Sequence, residues 1–167
     1  MKTTTKKSVF IIPSVFKSPG KDGDFGWMIN QDEYFDSFFI FNDNEEQFLA
    51  HKNNPEDSKG IGCQPGGGNA VIRPWQCKIP PRAGGIPTGT VIGYKNLSQK
   101  TSVNSKAVKD LIDEAIDHIK KTVIENNFKK VYFSSENKDV ITLGTGIFKV
   151  GEDVKKYIVF KITTLLD

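Results

Sequence analysis

Four successive apolar residues, Phe38, Phe39, Ile40 and Phe41, stand between polar neighbours. An exposed face would show alternation, so the run predicts a strand buried on both sides under helices. A second pattern fills residues 105–126, where Val108, Leu111, Ile112, Ala115, Ile116, Ile119 and Val123 keep three-and-four spacing while Lys109, Asp113, Asp117 and Lys120 take the other side. It predicts a long amphipathic helix, with Asn104 or Ser105 to cap its start and Asn126 and Asn127 to end it. Residues 152–166 repeat the spacing through Val154, Tyr157, Ile158, Ile162 and Leu165, and Glu152 and Asp153 suit a first turn. The β-branched density of residues 157–164 leaves a strand as the alternative there. Shorter runs predict strands over residues 8–16, interrupted or ended by Pro13, and over 130–134, and a short helix over 45–52 capped by Asn44 with Phe48 and Leu49 turned inward. Residues 25–35 hold Trp27, Met28, Ile29, Tyr34 and Phe35 without a period and are expected to be irregular.

Glycine and proline punctuate these elements. Residues 18–24 form a loop, 53–62 a polar excursion, and 80–93 a second loop-rich region around a possible strand at 89–94. Gly66, Gly67 and Gly68 are consecutive. They leave the backbone bare, so a ligand can approach the main-chain N–H groups closely, which suits an anion. A mobile surface loop is the plain alternative. Residues 69–72 start a helix that Pro74 keeps very short. A later loop carries Gly144, Thr145, Gly146, Ile147 and Phe148. Strand, glycine loop and helix thus recur, which predicts one three-layer α/β domain over residues 1–167 with a mixed or mainly parallel central sheet. Strands 38–41 and 131–133 are expected inside the sheet, with the 105–126 helix on one face. Ligand loops gather at strand carboxyl ends in such sheets, so the two glycine loops are expected to meet.

Composition narrows the chemistry. The chain has 167 residues and a formal charge of +3, with basic residues spread along it and not massed in a stripe, so nucleic-acid binding is not indicated. Its lysine pairs read as solvated ends of elements, and His118, on the flank of the long helix, as an ordinary helix residue. Only Cys63 and Cys77 are present, with no second cysteine or histidine pair near either. Neither a disulfide framework nor a metal site is therefore expected, and a reduced, cytoplasmic protein is. Residues 1–7 are polar, basic and expected to be flexible, and no run approaches a signal peptide or membrane span. No cofactor is indicated: no Gly-Lys-Ser/Thr follows the triplet and no dinucleotide fingerprint appears.

Two separated loops resemble those of the macro domain family of ADP-ribose binders. In that family a strand ends in an asparagine-containing segment, a triple-glycine turn opens a helix, and a Ser-Thr-Gly-Ile-aromatic loop follows a long helix and a further strand. Here the matching stretches are residues 39–44, 66–72, the helix from 105, the strand 131–133 and Gly144-Thr145-Gly146-Ile147-Phe148. Gly23-Asp24-Phe25 sits where the family places a Gly-Asp-Ile segment whose aspartate accepts from the adenine amino group. Three departures stand out: about twenty residues separate Asn44 from Gly66, Arg73-Pro74 truncates the helix after the glycines, and the loop before Thr145 is longer and more polar.

The resemblance implies an ADP-ribose-like ligand, with the diphosphate wrapped by Gly66, Gly67, Gly68, Asn69 and the loop from Gly144 to Phe148. It places Asn44 at the distal ribose, Asp24 at adenine and Phe148 against the ribose or base. If the ligand is hydrolysed, the expected catalyst is a water held by the ligand phosphate and Asn44 or Asp43, since no His or Cys nucleophile sits in the motifs. Helix capping is the plain alternative for Asp43. A different class of reading is a non-enzymatic interaction module that presents Trp27, Trp75 and the proline-rich loops to a protein partner.

Overall fold

The computed structural model describes residues 8–101 and 105–167. The flexible start expected at residues 1–7 and the cap expected at Asn104 lie outside the described residues. In chain order the regular elements are β1 (Phe10–Ser14), α1 (Phe25–Met28), β2 (Ser37–Asp43), α2 (Glu45–Asn53), β3 (Ala83–Pro87), α3 (Val108–Glu125), β4 (Lys130–Ser134) and α4 (Glu152–Thr163). Three 3₁₀ helices join them, at Asp32–Tyr34, Ile61–Cys63 and Gly68–Cys77. The strands form one parallel sheet in the order β1-β4-β2-β3. The fold is α/β, and β2 and β4 occupy the inside of the sheet as their apolar runs predict.

Alternation along β2 divides the core. Phe38 and Ile40 join Ile112, Ile116 and Ile119 of α3 and Val154, Ile158 and Ile162 of α4 in one buried cluster. Phe39 and Phe41 point the other way, into a second cluster with Phe25 and Met28 of α1, Tyr34, Ala70, Ile72 and Tyr132. Both faces of the sheet are therefore covered, which is why β2 shows no polar alternation. Pro13 does not break β1 and pairs in register with Phe133. An edge strand tolerates a proline because only one side must supply ladder hydrogen bonds.

Several expectations are corrected. Residues 25–35 are not irregular throughout: Asp24 caps α1, its Oδ1 accepting from the Trp27 amide at 3.3 Å. Four residues are too few for a helical period to show, so burial of Phe25 and Met28 decides the matter. The segment after the glycines runs as a ten-residue 3₁₀ helix through Pro74. The expected strand at residues 89–94 is a turn closed by a single Gly89–Gly93 bridge. The third strand is instead β3, with two adjacent glycines in its middle. A Cβ on Gly84 would lie 2.9 Å from Ile119 and Phe38 side-chain atoms, and one on Gly85 2.7 Å from Asp43 Oδ2. Close packing at the sheet demands glycine there and overrides its poor strand propensity.

The long helix starts later than its pattern suggests, at Val108, with no side-chain cap at Ala107. Ser105 is left-handed with φ 49° and does not cap it. Backbone carbonyls do that work: Val108 N–H donates to Gln99 O at 2.8 Å and Lys109 N–H to Leu97 O at 3.0 Å. At the other end Asn126 and left-handed Asn127, φ 55°, close the helix as expected. The final segment is a helix and not a strand, though it ends at Thr163.

The two cysteines are not independent. Cys63 and Cys77 form a disulfide, contrary to expectation, with Cα atoms 6.0 Å apart. Sequence separation hid this pairing, because the fourteen-residue span folds back through the 3₁₀ helix. The bridge also removes the cysteine argument for a reducing compartment. Among the described residues no helix is long and apolar enough to cross a membrane.

Candidate functional site

Parallel strands end on one side of a sheet, and there β2 and β3 deliver their last residues into a cleft of about 220 Å³. Asp43 and Asn44, the glycines Gly66 and Gly67, the turn from Thr88 to Gly93, and Phe148 line it, with Arg73 beneath. The two glycine loops do meet, and Asn42 ties them: its N–H donates to Asn69 Oδ1 at 3.0 Å and its Nδ2 to the Gly144 carbonyl at 2.6 Å. The turn from Thr88 to Gly93 is pinned to the strand end through Thr88 N–H to Asp43 O at 3.0 Å and Glu45 N–H to Gly89 O at 2.8 Å.

Beneath the loops lies a buried ion pair. Arg73 Nε and Nη2 both donate to Asp43 Oδ1, at 3.0 and 2.8 Å, and both side chains are almost wholly excluded from solvent. Asp43 Oδ2 is buried without a hydrogen-bond partner among the described residues. Burial pushes the Asp43 carboxyl above its ordinary range, with Arg73 and the Asn44 amide opposing that shift. Arg73 also donates to the Gln64 carbonyl at 2.9 Å, so one guanidinium joins the strand end to the glycine loop. Asp43 does not cap α2; that role belongs to Asn44, as expected from its sequence position. Asn44 Oδ1 accepts from the Gln47 amide at 2.8 Å and its Nδ2 donates to Gln47 Oε1 at 2.6 Å. Both ends of the Asn44 amide are thus engaged within α2.

The glycines fall into two kinds. Gly66, Gly89, Gly93 and Gly144 stand where a Cβ would meet another atom within 2.7 Å. Gly67, Gly68 and Gly146 face open space. Gly68 and Gly146 need glycine for their left-handed backbones, φ 59° and 62°. Gly67 has neither reason, since its φ is −75° and ψ 162°, an extended conformation open to any residue.

Other expected site residues stand back from the cleft. Asp24 does not line it; its carboxylate accepts from the Gly20 and Trp27 amides, and α1 leans on the 3₁₀ helix where Gly26 approaches Val71. Thr145 folds its hydroxyl back onto the Phe148 carbonyl at 2.9 Å. Ile147 is 93% exposed. Trp27 and Trp75 are half-buried against the second core cluster and are not free anchors for a partner. Exposed apolar groups cluster instead on the loops beside the cleft, at Val91, Ile92, Ile147 and Phe148. A larger hollow of about 680 Å³ lies alongside β1, between Trp27, Tyr34, Tyr132 and the lysines Lys17, Lys21 and Lys138.

Arg73 is the residue that sequence reasoning missed, having counted only as a neighbour of Pro74. Asp43 was the available signal, since a carboxylate ending an otherwise apolar buried strand requires a cation. Compared with known proteins, the chain matches no family profile, no curated protein and no solved structure. Fold and cleft define its class as an α/β protein with a glycine-lined cleft at its strand ends.

Proposed function

We propose that the cleft binds the diphosphate and distal ribose of an ADP-ribose-like nucleotide. One observation carries this reading: Gly67 lines the cleft although neither its backbone angles nor any neighbour requires glycine. A ligand pressed against the main chain supplies that requirement, because a phosphate held by backbone N–H groups leaves no room for a side chain. The cleft volume suits a phosphorylated ribose and not a whole dinucleotide, so the base lies outside it, where the family resemblance assigns it to Asp24. Asn44, half-buried on the cleft wall, keeps the role at the distal ribose, because the Asp43 side chain is fully buried on Arg73 and against Gly85 and offers a ligand no accessible oxygen. Hydrolysis of an ADP-ribose derivative would use a water held by the ligand phosphate and Asn44.

Calorimetric titration with ADP-ribose tests the reading. Gly67→Val keeps an allowed backbone and fills empty space, so it should abolish the heat of binding and leave the melting temperature unchanged. Asp24→Asn keeps the cap of α1 and should weaken binding roughly ten- to hundredfold, the equivalent of about 1.5–3 kcal/mol for a charge-assisted hydrogen bond. Absence of both heat and thermal protection at millimolar ADP-ribose would overturn the proposal.

A further inference from the structure

The disulfide has a third neighbour. His51, on α2, places Nδ1 3.7 Å from Cys77 Sγ, and the ligand atoms of His51, Cys63 and Cys77 all lie within 4.8 Å of one another. The trio joins three elements, since Cys63 ends one 3₁₀ helix and Cys77 the next. Hydrogen bonds that do not involve sulfur hold those elements together. Gln47 Nε2 donates to the Ile61 carbonyl at 2.7 Å, and Gln76 Nε2 to the Gly62 carbonyl at 2.6 Å. Gly62 is pressed so tightly onto α2 that a Cβ would lie 2.7–2.9 Å from His51 atoms. The cluster is thus positioned by packing as well as by the bridge.

We propose that, once the bridge is reduced, His51, Cys63 and Cys77 bind one zinc ion in its place. Reduction by a small dithiol transfers two electrons: the dithiol closes to its cyclic disulfide, and Cys63 and Cys77 take up two protons as thiols. Zinc then displaces both protons and is held by two thiolates, a neutral imidazole and one water, a tetrahedral donor set suited to this metal. Its two charges cancel those of the thiolates, so a half-buried site gains no net charge. Zinc–sulfur and zinc–nitrogen bonds of about 2.3 and 2.0 Å put tetrahedral sulfur and nitrogen ligands about 3.5 Å apart. The observed 3.7 Å from Cys77 to His51 already meets that spacing. The two sulfurs must part to about 3.8 Å, and Cys63 Sγ, now within 4.8 Å of the other two ligand atoms, must settle at the same spacing from His51.

The consequence reaches the cleft, because the segment between Cys63 and Cys77 carries Gly66, Gly67, Gly68 and Arg73. Disulfide and zinc would clip that segment in oxidising and reducing surroundings respectively, and the inference stands whether or not the cleft binds ADP-ribose.

Tag-free protein, reduced with a phosphine and freed of metal, is titrated with Co²⁺ and then Zn²⁺, with circular dichroism recorded throughout. One ion per chain should bind, with thiolate-to-cobalt charge transfer and tetrahedral d–d bands that zinc abolishes. The oxidised protein should bind none. Cys63→Ala/Cys77→Ala should lose the bands, and His51→Ala should weaken binding by more than about tenfold and alter the d–d envelope. Where metal-free reduced protein is unfolded, restoration of its fold by zinc supports the site. The proposal fails if reduced protein binds no more ion than the double variant, if His51→Ala changes nothing, or if zinc leaves an unfolded reduced chain unfolded.

Discussion

The two faces of the sheet are built by different means. On one face α3 and α4 lay regular apolar stripes against Phe38, Ile40, Val131 and Phe133, and nearly every contact is between hydrocarbon groups. On the other face the helices are the four-residue α1 and the 3₁₀ helices Asp32–Tyr34 and Gly68–Cys77, and polar groups do much of the joining. Arg82 spans that side, donating to the carbonyls of Ile29, Tyr34 and Ser37 at 2.9, 2.6 and 3.3 Å. Arg73 does the same for the cleft through Asp43 and Gln64. Hydrocarbon packing is non-directional and forgiving of small changes, whereas a buried ion pair depends on every partner. The contrast makes the regular face tolerant of small changes and the irregular one, which shapes the cleft, sensitive to the loss of any single partner.

Arg73→Leu should show this contrast most strongly. It strands the Asp43 carboxylate in a dry site, a loss of about 3–5 kcal/mol in chemical denaturation, and Asp43→Leu added to it should recover part of that loss. Gly85→Ala drives a Cβ into Asp43 and Phe41 and should cost about 1–3 kcal/mol by the same measurement, with the cleft distorted as well. Ile112→Val, on the regular face, removes one methylene from a fully buried site and should cost about 0.5–1.5 kcal/mol without touching the cleft. A cost for Gly85→Ala no greater than that for Ile112→Val would erase the distinction between the faces.

The smallest effect is a slope. Burial, and then its hydrogen bond to Glu45, raises the Tyr94 phenol well above the ordinary tyrosine range. The neutral phenol is favoured in the folded state, so its contribution is fully present below the unfolded value of about 10 and declines as pH climbs past it. Melting temperature should fall above about pH 10, and less steeply in Tyr94→Phe, while Tyr34, raised by burial and by Asp22, keeps part of the slope.

Legibility divided along the same line as the architecture. The strand at residues 130–134 is explicit in the chain as a short apolar run between polar ends, and the helix under residues 108–125 as a three-and-four period kept over its whole length. The convergence of the two glycine loops was also legible, since α/β topology sends strand-end loops to one side. β3 was not, because its reason for being Ala-Gly-Gly-Ile-Pro is the presence of Phe38, Ile119 and Asp43 around it. By itself the sequence determined the alternation of strands and helices, the inner position of β2 and β4, and the meeting of the loops. Only the tertiary structure decided the Cys63–Cys77 bridge, the Asp43–Arg73 pair and which glycines are filled and which are open. Those depend on atoms distant in the chain, and distances of a few ångströms between them are set by packing and not by any local preference.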